Sequence, residues 1–332
     1  MFGLNKQSIV EKITGARRLP ANQRGEAFAP SNIALVKYWG KRDDELNLPI
    51  TPSLSISLGK LGTSTSVEII QGHDKIVLNG LPVPEDTDFS VRLRSYLDLF
   101  RPNPSSGYLV NTHNTIPTAA GLASSASGFA ALAMALDQLH GWKLPKQQLS
   151  ILARLGSGSA SRSVYTGFVE WHAGKAADGM DSFAEPVNDS FPSLMVGLIK
   201  ISVAEKPLSS RAGMKRTVQT SLLYPSWPAQ VSRDLHTIRG AIKEKNFDLL
   251  GQTAENNALT MHATALGAWP PVLFWLPEST KTMHKIWEIR SSGIPVYFTM
   301  DAGPNIKLLA RKEDARRIDA LIHGVEWIEP FA

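Results

Sequence analysis

The chain of 332 residues contains no cysteine. That excludes disulfides and thiolate metal sites, and it fits a reducing cytoplasm. No apolar run approaches the roughly 20 residues needed to cross a bilayer. The opening stretch MFGLNKQSIVEKITGARRLP lacks a long apolar segment and carries Glu11, so no secretory signal is expected. Internal repeats and low-complexity linkers are absent. So are G-x-x-x-x-G-K-[ST], H-E-x-x-H and G-x-S-x-G. The nearest approach to G-x-G-x-x-G is GSGSAS, Gly156 to Ser161, with serine where the last glycine belongs.

Charge of one sign is not concentrated either. The net charge of +5 comes from 35 basic against 30 acidic side chains, and the densest clusters, GARR, KRDDE and ARKEDARR, include or adjoin acids. A nucleic-acid binder gathers such an excess into a patch interleaved with aromatics; scattered charge reads as solvated surface. No nucleic acid and no membrane are therefore expected as partners. The mild excess can still favour a small polyanionic substrate.

What is present is a globular composition, 43% hydrophobic and 20% charged, on a chain long enough for two domains. Strand-like runs rich in β-branched and aromatic residues are STSVEII, GYLVNT, GFVEWHA, SLMVGLIKISV and IPVYFTM. Helical runs alternate with them. FAALAMALDQL puts Phe129, Leu132, Ala133 and Leu136 on one face, and DFSVRLRSYLDLF stops at Arg101-Pro102. The second half is more helical, through SWPAQVSRDLHTIRGAIKEKN, FDLLGQTAENNALTMHATAL and KEDARRIDALIH. Strands mixed with helices throughout give an α+β or α/β class. The weakest boundary is EPVNDSFPS, where turn-forming residues cluster between two strand-like runs.

One stretch, IPTAAGLASSASG (Ile116 to Gly128), is nearly bare of packing side chains. It follows a strand-like run and feeds an amphipathic helix. Unpaired N–H groups and the positive end of a helix dipole suit a phosphate there, with Ser124 and Ser125 able to add hydroxyls. The same composition also suits an N-cap followed by close helix packing. Asp301, before Ala-Gly-Pro, reads by itself as a turn former. Lys37 and Lys41, four apart, can share a helix face as solvated charge.

Taken together the blocks are specific. Pro117-x-x-x-Gly121-Leu122-x-Ser124-Ser125-Ala126 resembles the phosphate loop of the GHMP kinases. With it, NIALVKYWGKRD, LNLPITPSLSISL, PTAAGLASSASG, GSGSASRS and MDAGPN stand in the order found in the diphosphomevalonate decarboxylase family, over roughly residues 27 to 310. The resemblance implies a GHMP kinase fold of α+β class with two domains around a cleft. The N-terminal one has an unusual left-handed βαβ unit, and the C-terminal one is ferredoxin-like. The expected division is an N-terminal extension (1–24), an ATP-binding domain (25–190) and a C-terminal domain (191–332). The implied reaction is ATP-dependent decarboxylation of mevalonate 5-diphosphate to isopentenyl diphosphate. A mevalonate 5-phosphate decarboxylase and a 3-kinase that does not decarboxylate are the alternatives.

By the same resemblance Asp301, Lys37 and Ser210 are catalytic, Asp301 taking the proton of the 3-hydroxyl. Tyr38, Lys41, Ser157, Ser159, Arg162 and Arg211 bind substrate. Arg162 matches the position that holds the carboxylate, and SSRAGM, with Ser210 and Arg211, resembles the bacterial branch. Gly121, Leu122, Ala123, Ser124 and Ser125 cradle ATP. Mg²⁺ is expected to ride on the ATP phosphates, held at most by Ser124 or Ser125. Trp39 reads as packing, and His262 as a helix-packing or supporting residue outside the site. If Lys37 sits beside Asp301, its charge lowers the carboxyl pKa. A homodimer in the cytoplasm is the family expectation.

Overall fold

The computed structural model describes residues 5–15, 19–115, 124–204 and 208–331. A short helix, α1 (Lys6–Thr14), comes first. The chain then forms β1 (Arg24–Val36), β2 (Lys41–Asp43), β3 (Leu48–Pro49), β4 (Ser53–Gln71), β5 (Lys75–Leu78), β6 (Leu81–Pro82), α2 (Asp88–Leu97) and β7 (Ser106–Asn114). Helices α3 (Ser124–His140) and α4 (Lys146–Gly156) and strands β8 (Phe168–Trp171) and β9 (Ala184–Val187) follow. The second half holds β10 (Leu194–Ile199), α5 (Ser210–Thr220), α6 (Trp227–Lys243), α7 (Phe247–Leu266), α8 (Pro277–Ser291), β11 (Val296–Met300), β12 (Ile306–Arg311), α9 (Ala315–Leu321) and β13 (Glu326–Ile328).

Seven strands make the first sheet, ordered β6-β5-β7-β4-β8-β9 with β1 paired to β4. The long β4 gives one edge to β1 and divides the other between β8 and β7. Alternation along SLSISL explains how that strand serves two purposes. Leu54, Ile56 and Leu58 enter the core shared with α6 and α7, while Ser53, on the opposite face, meets Arg162. Strands β5 and β7 are parallel, and α2 makes the crossover between them. Helix α3 lies against β1 and β4. Its Ser127 hydroxyl is hydrogen-bonded to Ser31 of β1 (3.1 Å) and to Thr63 of β4 (2.7 Å), which fixes the helix start over the sheet.

The second sheet runs β11-β12-β10-β13, every pair antiparallel. With α5–α8 between its first two strands and α9 between its last two, this is the ferredoxin-like β-α-β-β-α-β order. The two halves are joined by one apolar cluster. Ile33, Leu54 and Phe168 of the first sheet pack with Val196 of the second and with Trp227 and Leu250 from α6 and α7. Residues at the seam are therefore held from both sides. Helix α1 docks on the first half, burying Ile9, Val10 and Ile13 among residues of α3 and α4.

Candidate active site

Lys37 follows β1 and Asp301 follows β11, two strand ends that the shared core brings together. Lys37 Nζ lies 3.0 Å from Asp301 Oδ1 and donates to the Ala34 carbonyl at 2.7 Å. On the other carboxylate oxygen sits Lys307 Nζ, 3.2 Å from Oδ2. The pairing Thr299↔Lys307 in the β11–β12 hairpin places that lysine across the turn from Asp301. Both lysine side chains are 2% exposed and the aspartate 36%, so the carboxylate faces open space from a buried cationic floor. The two-lysine helix face does not form. Lys37 is buried after a strand and Lys41 opens β2, because the Trp39-Gly40 turn separates them and Gly40 has φ +116°.

Burial by itself would raise the Asp301 carboxyl. The charges of Lys37 and Lys307, with their hydrogen bonds, outweigh it and hold the carboxyl well below the usual range. Burial lowers the Lys37 ammonium to about 8; Asp301 supports its charge, while Lys307 and Arg162 oppose it. The supporting residues are polar and buried. Asn257 Oδ1 accepts the Lys37 backbone N–H at 2.8 Å, and its Nδ2 donates to Asp234 at 2.7 Å. His262 Nε2 is 3.2 Å from the Asp301 carbonyl; burial pushes its imidazole down to about 3, so the ring is neutral. Asn305 accepts from Ile201 and Ser202 N–H at 2.7 and 2.9 Å, tying the turn after Asp301 to the chain beyond β10.

Arg162 forms one wall. It sits in the short helical turn Gly158–Val164, donates to Ser53 Oγ at 2.5 Å and to Asn32 Oδ1 at 3.2 and 3.3 Å. Burial lowers its guanidinium to about 10, against the pull of Asp301 and Tyr38, so it stays charged near neutrality. Tyr38 packs edge-on against Trp171 at 4.8 Å, with its hydroxyl buried and unpartnered among the described residues. Burial raises its phenol, opposed by Arg211 and Arg162, so the hydroxyl is a neutral donor. A Cβ at Gly158 would come within 2.8 Å of the Tyr38 ring, so glycine is what lets these two segments meet. Ser157 and Ser159 flank it, their hydroxyls 3.4 Å apart.

Beyond Tyr38 the cations are less tied. Lys41 Nζ reaches Asn47 Oδ1 at 2.7 Å and Asp44 at 3.5 Å. Burial, then the Arg211 charge, lowers it to about 8, with Asp44 opposing. Arg211 is exposed in the first turn of α5, next to Ser210, which opens that helix. On the first-sheet side a cavity of about 470 Å³ lies over β4 and β7, lined by Thr63, Asn114, Arg92, Ser125 and Phe129 among others. That volume is in the range of small-molecule pockets. Ser124 opens α3 and Ser125 lines the cavity. Gly121, Leu122 and Ala123 lie outside the described residues. Among the described residues, no group of three or more His, Asp or Glu could hold a metal ion.

Sequence reasoning missed Lys307 and Asn257. Lys307 lies inside a strand-like run with nothing local to distinguish it. Asn257 had one signal, a pair of asparagines in an apolar helix (ENNALT).

Two family models cover the chain. One, described as the diphosphomevalonate decarboxylase-like N-terminal domain, matches residues 29–184; the other, the mevalonate 5-diphosphate decarboxylase C-terminal domain, matches 197–327. The chain belongs to the diphosphomevalonate decarboxylase family. A diphosphomevalonate decarboxylase of Aspergillus fumigatus is 36% identical over 326 residues, 91% of this chain and 80% of that protein. The mevalonate diphosphate decarboxylase of Staphylococcus aureus superposes with a TM-score of 0.88 at 39% identity, covering 93% of this chain and 96% of that one. A third neighbour, solved in complex with MVAPP, AMPPCP and magnesium, gives a TM-score of 0.84 at 41% identity, with coverage of 92% and 99%. The two-domain GHMP kinase-like fold and the decarboxylase family read from the motifs are both borne out.

Proposed function

We propose that the chain catalyses ATP-dependent decarboxylation of mevalonate 5-diphosphate, giving isopentenyl diphosphate, ADP, phosphate and CO₂. What carries this reading is the Asp301 carboxylate, clamped between Lys37 and Lys307 beside Arg162 at the seam of the two halves. Asp301 accepts the proton of the substrate 3-hydroxyl as the γ-phosphoryl group transfers. Its low basicity suits a loose transition state in which the proton moves late. Lys37 and Lys307 stabilise the charge that gathers on the reacting phosphoryl oxygens, and Ser210 supplies a hydroxyl at the same centre. Arg162, already fixed by Ser53 and Asn32, holds the substrate carboxylate in a guanidinium fork. When the 3-phosphate leaves, the electrons of the bond to the carboxylate form the new double bond and CO₂ departs.

The diphosphate end falls to Tyr38, Lys41, Ser157, Ser159 and Arg211. ATP takes the cavity over β4 and β7, its phosphates reaching Gly121, Leu122, Ala123, Ser124 and Ser125 where α3 begins. Magnesium on those phosphates reduces their charge, with the serines that open α3 as its protein contact. The ligands of the third neighbour support the nucleotide, the metal and the substrate. Residues 25–190 and 191–332 are the two domains, and residues 1–24 an extension docked through α1. Absence of cysteine supports a cytoplasmic location. A homodimer is supported by an apolar surface around Leu222, Leu223 and Trp269, exposed by 93%, 51% and 76%.

The test is purified protein with Mg-ATP and mevalonate 5-diphosphate, following ADP and CO₂ together. Equal release of the two is expected. ADP without CO₂ would make the protein a 3-kinase, and preferred turnover of mevalonate 5-phosphate would make it the monophosphate enzyme.

A further inference from the structure

Helix α1 lies outside the segment matched by the family models, which begins at residue 29. It is nevertheless built into the molecule. Asn5 caps it by accepting from Ser8 N at 2.9 Å, its apolar face is buried on the first half, and Lys12 pairs with Asp178 at 2.8 Å. That docking delivers Lys6, the first helical residue and half-buried, to a particular place. It lies within electrostatic reach of Lys41 from β2, Arg92 from α2 and Arg211 from α5. Arg92 in turn lines the 470 Å³ cavity, with its guanidinium 5.7 Å from the centre of the Phe129 ring.

Four cations from four separate elements thus converge between the nucleotide cavity and the Tyr38 hydroxyl. The acids within reach of them are Glu45, Asp44 and Asp88, of which Asp44 and Glu45 are exposed. Like charges gathered in a half-buried space repel one another, and desolvation adds to the cost. Burial and the neighbouring arginines lower the Lys6 ammonium, and burial with Arg211 lowers Arg92. A multivalent anion is the ligand that such a set fits, and one carrying two linked phosphates can meet several of the cations together.

We infer that Lys6 of the N-terminal helix is a specificity-determining residue for the terminal phosphate of the substrate's diphosphate. The inference rests on the proposed reading of this site as the diphosphate end. Lys6 faces Lys41 and Arg211 and adds a charge that a monophosphate does not reach. The N-terminal helix is therefore part of the substrate site.

The experiment measures kcat and KM for mevalonate 5-diphosphate and for ATP, and Kd for mevalonate 5-phosphate, in full-length wild type, Lys6→Gln, Lys6→Arg and Arg211→Ala. Lys6→Gln is expected to raise KM for the diphosphate about five- to tenfold, the loss of one charge-assisted contact. kcat, KM for ATP and Kd for the monophosphate stay within about twofold, and Lys6→Arg restores KM. An unchanged diphosphate KM in Lys6→Gln, with KM raised in Arg211→Ala, overturns the role of Lys6 while leaving the site intact. A shift in KM for ATP alone overturns it by assigning Lys6 to the nucleotide. A lowered melting temperature with a KM effect that Lys6→Arg does not restore overturns it in favour of helix docking. If Arg211→Ala also binds the diphosphate normally, the site reading and this inference fall together.

Discussion

The reacting end and the diphosphate end of this site are both cationic, yet they are held very differently. Around Asp301 every cation is pinned. Lys37 bonds to Ala34 and Asp301, Lys307 to Asp301, and Arg162 to Ser53 and Asn32, all three side chains nearly inaccessible. At the other end Arg211 is exposed and Lys41 shares its ammonium with Asn47 and the exposed Asp44. Bond making needs atoms placed to a fraction of an ångström, which only buried, mutually bonded groups provide. Capturing a diphosphate needs charge first and geometry second, so looser cations serve. One end should thus register in kcat and the other in KM and in salt dependence.

The sharpest break comes at Asp301. Asp301→Asn keeps the shape but removes the proton acceptor, so kcat should fall at least about a hundredfold with ATP affinity little changed. Steady-state ADP release measures it, and activity within threefold of wild type would remove Asp301 from the chemistry. Lys307→Gln is next, with an expected loss of about tenfold or more in kcat because Lys37 still holds one carboxylate oxygen. Losing one cation raises the Asp301 pKa, so the acid limb of the pH–rate profile moves to higher pH. An unmoved limb would mean that Lys307 is structural only.

Arg162→Ala against Arg211→Ala compares the two ends directly. The first should lower kcat more, since the reacting carboxylate loses its clamp. The second should act mainly on KM, by about 1.5–3 kcal/mol of charge-assisted hydrogen bonding, and should narrow the preference for diphosphate over monophosphate. Undiminished discrimination would move the diphosphate reading to Tyr38 and Lys41.

Lys37 and Lys41 both titrate at about 8, so kcat/KM should decline above that pH. Lys41→Arg should remove the part of the decline carried by KM. Stability runs the other way for these groups. A lysine whose folded pKa is depressed binds its proton more weakly folded than unfolded. Its penalty is present in full below about pH 8 and is relieved as pH rises toward the ordinary 10.5. Alkaline inactivation should therefore precede any alkaline unfolding, and circular dichroism alongside activity checks this. Asp301, with its pKa held down, adds stability above its unfolded value near 3.8 that is lost as pH falls. The smallest effect expected on turnover is that of Gly158→Ala. Its Cβ would displace the Tyr38 ring, costing about 1–3 kcal/mol of stability and raising KM more than it lowers kcat. Equal losses in kcat and KM would show Tyr38 to serve the reacting end instead.

Much of this was legible in the linear chain. The composition bounded the class, and the periodicity located α3, α6 and α7 and the strands β7, β8, β10 and β11. The ordered blocks identified the family and named Asp301, Lys37 and Arg162. Strand β1 was not legible as a strand, since Pro30 and Asn32 interrupt it. The structure accommodates them with a shift of register against β4 between those two residues. Helix α1 was visible only as an unmatched extension, because an amphipathic nine-residue helix carries no sign of what it docks on.

Residue types and their order by themselves determined the fold family, the reaction class and the groups able to hold phosphate and carboxylate, because those depend on local chemistry and on motifs short enough to read. Only the tertiary structure decided how they are charged and who their partners are. Lys307 became the second clamp on Asp301 through hairpin register, and Lys37 was buried by a core drawn from both halves. Lys6 reached Arg92 and Arg211 through the packing of a helix far from them in the chain. Electrostatic coupling depends on distance in space and on desolvation, and neither is encoded in sequence separation.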